Sequence, residues 1–408
     1  MSAELICIHS APWVVPVSRP MIADGGVAVA QGRIVAVDVL PRLQQQFPLA
    51  KHIHHPAAAL TPALINAHIH LELSHLAALA AVPLQTSFTG WISQLLQLRD
   101  SLGATGDQAQ RAAERVAAQQ YASGVSALAD IGNTPMGRNL AGAFPGRLFP
   151  FKEYLGLAAF TLDKNLNRLE QEPESVLCSG HAPYSTHGRL LQQLKARAAS
   201  LGHMFPIHTA ESAAEGEMIR EGRGAMVDFV RTRGFWDGAF VPRGSGGSIN
   251  YLYDLGVLDA GTLCVHAVHV SPEEIRIAAD EGAKICLCPG SNRFLRVGAA
   301  PVRQYLEHRI LPALGTDSLA SNPELSLWRE MQLLAEDQPD IDPAAIFAMA
   351  TRGGAEALGL GDCLGALEPG KDADVLIVPL PAATRTVAQV YGHLISAGAA
   401  IHPTRAEH

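Results

Sequence analysis

Two histidines, His68 and His70, close an apolar run, Ala63–Ala67, with one residue between them. In an extended chain residues i and i+2 project on the same side, so both imidazoles can face one point. Two imidazoles on one point begin a divalent-metal site. A bare His-x-His is more often a pair of loop histidines, and the residues downstream decide between the two. Further short apolar segments also end in His or Asp, and they deliver Asp130, His181, His208, His266 and Asp317. Imidazole and carboxylate are the side chains that bind borderline divalent cations and move protons near neutral pH.

Residues so far apart along the chain need a scaffold that gathers strand ends. Candidate strands at 62–68, 125–130, 147–152, 176–181, 204–208, 262–266, 283–288 and 311–317 alternate with candidate helices. The helices fall at 108–122, 163–171, 187–201, 213–232, 271–281, 301–308, 324–336 and 343–358. The alternation predicts an α/β fold, a (β/α)8 TIM barrel over 59–361, with active groups at the C-terminal strand ends. A doubly wound open sheet is the alternative. It calls for a glycine-rich phosphate turn after an early strand, and none is present. Residues 1–58 read as short strands broken by Gly and Pro, and Gly365–Leu380 reads as a turn and a strand. The two ends, 1–58 and 362–408, are therefore expected to build a small β-sandwich domain beside the barrel.

Composition excludes several classes. With 408 residues, 48% apolar and 17% charged, the chain is globular and able to bury a large core. A net charge of −8 with no basic block argues against a nucleic-acid surface. The H-x-E and P-C-x-x-C signature of nucleic-acid deaminases is absent as well. Six scattered cysteines without a C-x-x-C pair suit a reduced, cytoplasmic protein. MSAELICIHSAPWVV lacks a cationic leader with a long apolar core, and no apolar run reaches the ~20 residues of a membrane span. The expected partner is a small-molecule substrate, with no nucleic acid and no membrane, and a homodimer is the default assembly.

The stretches HIH at 68–70, HTAE at 208–211, HAVH at 266–269 and GTDSLASN at 315–322 resemble the amidohydrolase superfamily. PALINAHIH, HAPYS at 181–185 and LGALEPGKDADVLIV extend the likeness over nearly the whole chain. Within the superfamily they are similar to the aminohydrolase branch, which holds adenosine-type, guanine and cytosine deaminases and the triazine chlorohydrolases. The resemblance implies that His68, His70, His208 and Asp317 hold one divalent cation. Zinc is the expected ion, and iron and manganese accept the same donors. Three imidazoles and a carboxylate leave a position for water, whose pKa then falls toward ~7. Glu211 matches the family's proton shuttle, His266 the histidine that orients the attacking water, and Asp317 the acceptor of a second proton. Read without the family, Glu211 is a helix-start acid favoured by the dipole. Hydantoinase-like relatives carry a metal-bridging lysine on strand four. VLCSGHAPYS has none, which implies one metal and the deaminase side.

Substrate contacts follow more loosely. His181 matches a substrate-touching histidine of nucleoside-type deaminases. Deaminases of methylthioadenosine and adenosylhomocysteine carry an acid just before a tryptophan, whereas Thr89 and Gly90 precede Trp91 here. Glu153 is a candidate replacement or a plain surface acid. In CPGSNRFLRVG, Ser291 and Asn292 fit the family pattern, while Arg293 and Arg296 bring positive charge. Those guanidiniums either fork onto a substrate carboxylate or form surface salt bridges. This stretch resembles the aminodeoxyfutalosine deaminases of menaquinone synthesis, whose adenine nucleoside bears a carboxyphenyl ketone. The expected activity is deamination of that nucleoside. Alternatives are another nucleoside or nucleobase, a triazine chlorohydrolase, or a non-catalytic metal-binding protein. Keeping both Glu211 and His266 counts against the last.

Overall fold

A computed structural model describes residues 6–407, so the strand expected over ELICIHSAPWVVPV is described only from Ile6 onward. Eight parallel strands form two four-stranded sheets in chain order. The first holds Leu64–Ile69, Val125–Gly132, Arg147–Tyr154 and Cys178–Gly180. The second holds Phe205–Thr209, Thr262–His266, Lys284–Leu287 and Ala313–Leu314. A few backbone bonds, not a continuous ladder, cross the seams. Thr316 and Asp317 donate to the His68 carbonyl at 2.9 and 3.1 Å, and His208 donates to the His181 carbonyl at 3.0 Å. The eighth strand thus meets the first, and the fourth meets the fifth.

The strands are apolar on both sides because both sides are covered. Ile65, Ala67, Ala127, Ala129, Ile131, Leu263, Val265 and Cys286 pack into one inner cluster at the strand period of two. Their neighbours Leu64, Leu128, Cys264, Ile285 and Leu287 face the surrounding helices. Cys286 and Cys288 sit inside as small buried side chains. In the helix Asp107–Ala122, Ala109, Ala112, Ala113, Val116 and Ala117 form one buried stripe at helical spacing.

Several expectations change. The helix expected over 213–232 is two helices, Ala213–Glu221 and Ala225–Thr232. Gly222 (φ 64°) and Gly224 (φ 95°) take left-handed backbone that breaks it. The helix Phe88–Leu102, capped by Ser87 accepting from the Gly90 N–H, was not expected. The terminal strands pair as one connected seven-stranded sheet in which Val375–Pro379 lies between Ala58–Pro62 and Thr404–Arg405. Both chain ends contribute to this sheet. Thr386 and Gln389 box the start of a helix, Val387–Ser396, whose Val390, Leu394 and Ile395 are buried. That helix packs on Leu327–Asp337 and Pro343–Ala348, with Tyr391 near Phe347 at 6.4 Å. Among the described residues no helix is long and apolar enough to cross a membrane.

Candidate metal and catalytic centre

The chain leaves several strands with unusual backbone just where the polar side chains sit. Ala210, His266, Ala267 and Asp317 all have positive φ, between 43° and 72°. For residues with a side chain that conformation costs about 1–2 kcal/mol each, so surrounding bonds must hold it. They do. The carboxylate of Glu215 accepts from the Ala210 and Glu211 N–H groups at 2.8 and 2.9 Å and from Ser248 Oγ at 2.5 Å. Ala267 donates to the Thr209 carbonyl, and Val268 and His269 donate to the Ala210 carbonyl. The exits of strands five and six therefore brace each other.

His68, His70 and His208 converge, with donor nitrogens within 4.8 Å of one another. The Nδ1 of His70 donates to the Ile131 carbonyl and that of His208 to the His181 carbonyl, each at 2.8 Å. Each ring's Nε2 then carries a lone pair. Those two Nε2 atoms approach to 3.2 Å, and Asp317 Oδ1 lies 3.4 Å from His70 Nε2 and 3.6 Å from His68 Nε2. Both nitrogens of His68 are buried without a hydrogen-bond partner. Ring nitrogens and a carboxylate oxygen turned on one another, plus an orphaned buried imidazole, fit a divalent cation. Backbone carbonyls on the far ring nitrogens are the usual outer support of such ligands.

Electrostatics agree for His68 and His208, whereas at His70 burial is outweighed by the nearby Asp317 and Glu153 carboxylates and the pKa rises. Burial pushes the His68 pKa down to about 3, and burial with neighbouring imidazoles holds His208 well below the usual range. Neutral imidazole is the ligating form. Burial alone would raise Asp317, yet His68, His70 and His266 hold its carboxyl well below the usual range. Ser291 and Ser321 donate to its Oδ2 at 2.5 and 2.9 Å, leaving Oδ1 for the cluster. Glu211 goes the other way: burial, then Asp317 and Glu215, push it well above the usual range. Its Oε1 lies 3.6 Å from His266 Nε2, while His266 Nδ1 donates to Asn292 Oδ1 at 3.0 Å. A carboxylic acid thus faces an imidazole nitrogen across the cavity, two groups placed to give and take protons.

The cavity above this floor encloses about 650 Å³ and is lined by Trp91, Glu153, His181, Glu211, His266 and Asp317 among others. Trp91 is fixed by its indole N–H on the Ala320 carbonyl at 3.2 Å. His181 Nδ1 bonds Ser185 Oγ at 2.5 Å, so Nε2 is free. Glu153 is not a surface acid. It is 8% exposed at the end of strand three, its Oε2 accepts from Asn133 Nδ2 at 3.0 Å, and its Oε1 has no hydrogen-bond partner but lies 3.7 Å from His208 Nδ1.

Four expected substrate contacts are placed elsewhere. Ser291 and Asn292 are buried behind the cavity and hold Asp317 and His266. Arg293 points outward from the helix Pro289–Leu295 and pairs with Glu336 and Asp337 at 2.8 and 2.6 Å. Arg296, exposed at that helix's end, does not line the cavity either. A helix turns successive side chains by about 100°, and a motif's spacing does not reveal which way each points.

Buried carboxylates were the residues sequence reasoning missed. Glu72 pairs with Arg99 at 3.0 Å and accepts from the Asn133 and Thr134 N–H groups. Glu330 accepts from Gly290 N–H and Asn322 Nδ2, tying the exits of strands seven and eight. For Glu215 a signal existed: Ser212-Ala-Ala-Glu215 has the spacing of a helix capping box.

The Amidohydrolase family matches residues 59–394. The chain belongs to this family, and it is a hydrolase of carbon–nitrogen bonds with a TIM-barrel type of fold. It is 30% identical over 413 aligned residues to a 5-methylthioadenosine/S-adenosylhomocysteine deaminase of Nitratidesulfovibrio vulgaris (strain DP4), covering 95% of this chain and 86% of the relative. It is 28% identical to an aminodeoxyfutalosine deaminase of Nitratiruptor sp., covering 94% of each. Among solved structures, an adenosine deaminase from Xanthomonas campestris with bound zinc superposes with a TM-score of 0.76 at 25% identity, covering 95% of this chain and 88% of that one.

Proposed function

We propose that the protein is a metal-dependent deaminase of an adenine nucleoside, with 6-aminodeoxyfutalosine as its preferred substrate. The observation that carries the reaction class is the acid Glu211 facing His266 beside a cluster of three imidazoles and Asp317. Deaminase-named relatives along nearly the full chain support it. His68, His70, His208 and Asp317 would hold the cation, zinc being our choice. When bound, the cation supplies the acidification of water that hydrolysis at neutral pH requires.

The chain's own residues do the rest. Glu211 takes a proton from the attacking water and passes it to the ring nitrogen beside the carbon that carries the amino group. His266 is held by Asn292 so that Nε2 faces the reacting centre and orients the nucleophile. Asp317, kept ionised by the imidazoles around it, takes the remaining proton of the added hydroxyl and passes it to the amino group, which leaves as ammonia. The Glu153 carboxylate accepts from a ribose hydroxyl, and His181 Nε2 meets the base. The preference for aminodeoxyfutalosine rests on the full-length likeness to the Nitratiruptor protein and on Thr89 and Gly90 standing where an acid would precede Trp91. The relative from Nitratidesulfovibrio makes methylthioadenosine and adenosylhomocysteine the second reading. Ammonia release from a panel of 5′-substituted adenine nucleosides tests both. The largest kcat/KM should fall on aminodeoxyfutalosine, and a larger value on methylthioadenosine overturns that choice.

A further inference from the structure

The walls of the catalytic cavity change character from floor to mouth. At the mouth, Leu155, Phe160 and Phe235 are 42%, 70% and 45% exposed. Large apolar side chains gathered in water around one opening mark a ligand surface. Lys164 and Arg168, on the helix Leu162–Glu170, and Arg233, just after Ala225–Thr232, line the same opening. Among the described residues none of these three cations has an ion-pair partner, whereas Arg293 has two. Arg168 lies over the Tyr154 ring, 5.5 Å from its centroid. Asp237 is engaged otherwise: its carboxylate accepts from the Ala159 and Ala239 N–H groups at 2.6 and 2.9 Å. The first of these bonds ties the segment carrying Phe160 to the one carrying Phe235.

We infer that this mouth is the subsite for the nucleoside's 5′ substituent and selects a flat apolar group ending in a carboxylate. The aromatic and aliphatic side chains cover the flat part. The lysine and the two guanidiniums meet the anion, and a guanidinium adds a fork that fits carboxylate and stacks on aryl faces. This inference rests on the adenine-nucleoside reading above and assigns to Lys164, Arg168 and Arg233 the role that sequence alone gave to Arg293 and Arg296.

The test compares an adenine nucleoside whose 5′ substituent is a carboxyphenyl ketone with its methyl ester, the same shape without the charge. The wild type should favour the acid in kcat/KM by about tenfold or more, the scale of a charge-assisted contact. The preference should shrink with added salt. In the triple variant Lys164→Gln, Arg168→Gln, Arg233→Gln, which keeps side-chain bulk, the acid-to-ester ratio should fall to about one. Equal rates in the wild type, or an undiminished ratio in the triple variant, overturn the inference. Calorimetric binding of the same pair to the Glu211→Gln protein reads the mouth without turnover. Deamination of both compounds without preference sinks the subsite and leaves the deaminase. Rim-dependent binding of the acid with no deamination of any adenine nucleoside sinks the deaminase and leaves the subsite.

Discussion

The floor of the cavity and its mouth are built by different means. At the floor His70, His208, His266 and Asp317 leave or follow strand ends, are buried, and are fixed by backbone carbonyls, serines and an asparagine. At the mouth Phe160, Lys164, Arg168 and Arg233 stand on helices and loops, exposed. Strand ends repeat a geometry that the sheet dictates, so the floor tolerates little change. Loop and helix side chains can be exchanged without disturbing the sheet, so the mouth is where one family adapts to many substrates. The difference predicts steep losses for floor substitutions and selective or small ones elsewhere.

Glu211→Gln carries the largest expected effect. It keeps the shape and the ligands but removes the proton, and kcat should fall about 10²- to 10⁴-fold. Metal content should stay unchanged, and near-normal turnover would remove Glu211 from the chemistry. Ser291→Ala leaves Asp317 Oδ2 without its 2.5 Å donor. Loss of such an outer partner costs about 10- to 100-fold in metal affinity or activity. Unaltered metal affinity and rate would show that the floor does not need that support.

Glu330 sharpens the contrast through pH. Burial pushes its pKa from 4.5 up to about 8. The folded protein therefore keeps a proton that the unfolded chain gives up. The stability it contributes is complete below about pH 4.5 and lost as pH rises through about 8. Glu330→Gln should flatten the decline of the thermal midpoint between those values, and an unchanged slope would exclude this carboxyl as its source. Arg293→Ala should do least. Its guanidinium spans exposed ion pairs worth about 0–1 kcal/mol, away from the cavity. A clear fall in kcat/KM for a carboxylated nucleoside would move the anion site back to the helix Pro289–Leu295.

The same division governs what sequence could reveal. His68, His70, His208 and Asp317 were legible because few side chains ligate metal and because apolar strands announce where they end. The order of the eight strands was legible for the same reason. Lys164, Arg168 and Arg233 were not, since cations on an exposed helix face look alike whether or not a ligand meets them. Arg293 misled because charge beside a motif carries no direction. Glu330 stayed hidden because a helical carboxylate is usually solvated, and only folding shows that this one turns inward. The helix Val387–Ser396 was overlooked because the strand before it suggested that the whole end of the chain was sheet.

Anomalous diffraction from crystals grown with zinc locates the cation outright. One peak is expected within bonding distance of the Nε2 atoms of His68, His70 and His208 and of Asp317 Oδ1. The cluster of Glu153, His181 and His208 is the neighbouring alternative. A peak there, or none between residues 68, 70, 208 and 317, would contradict that placement.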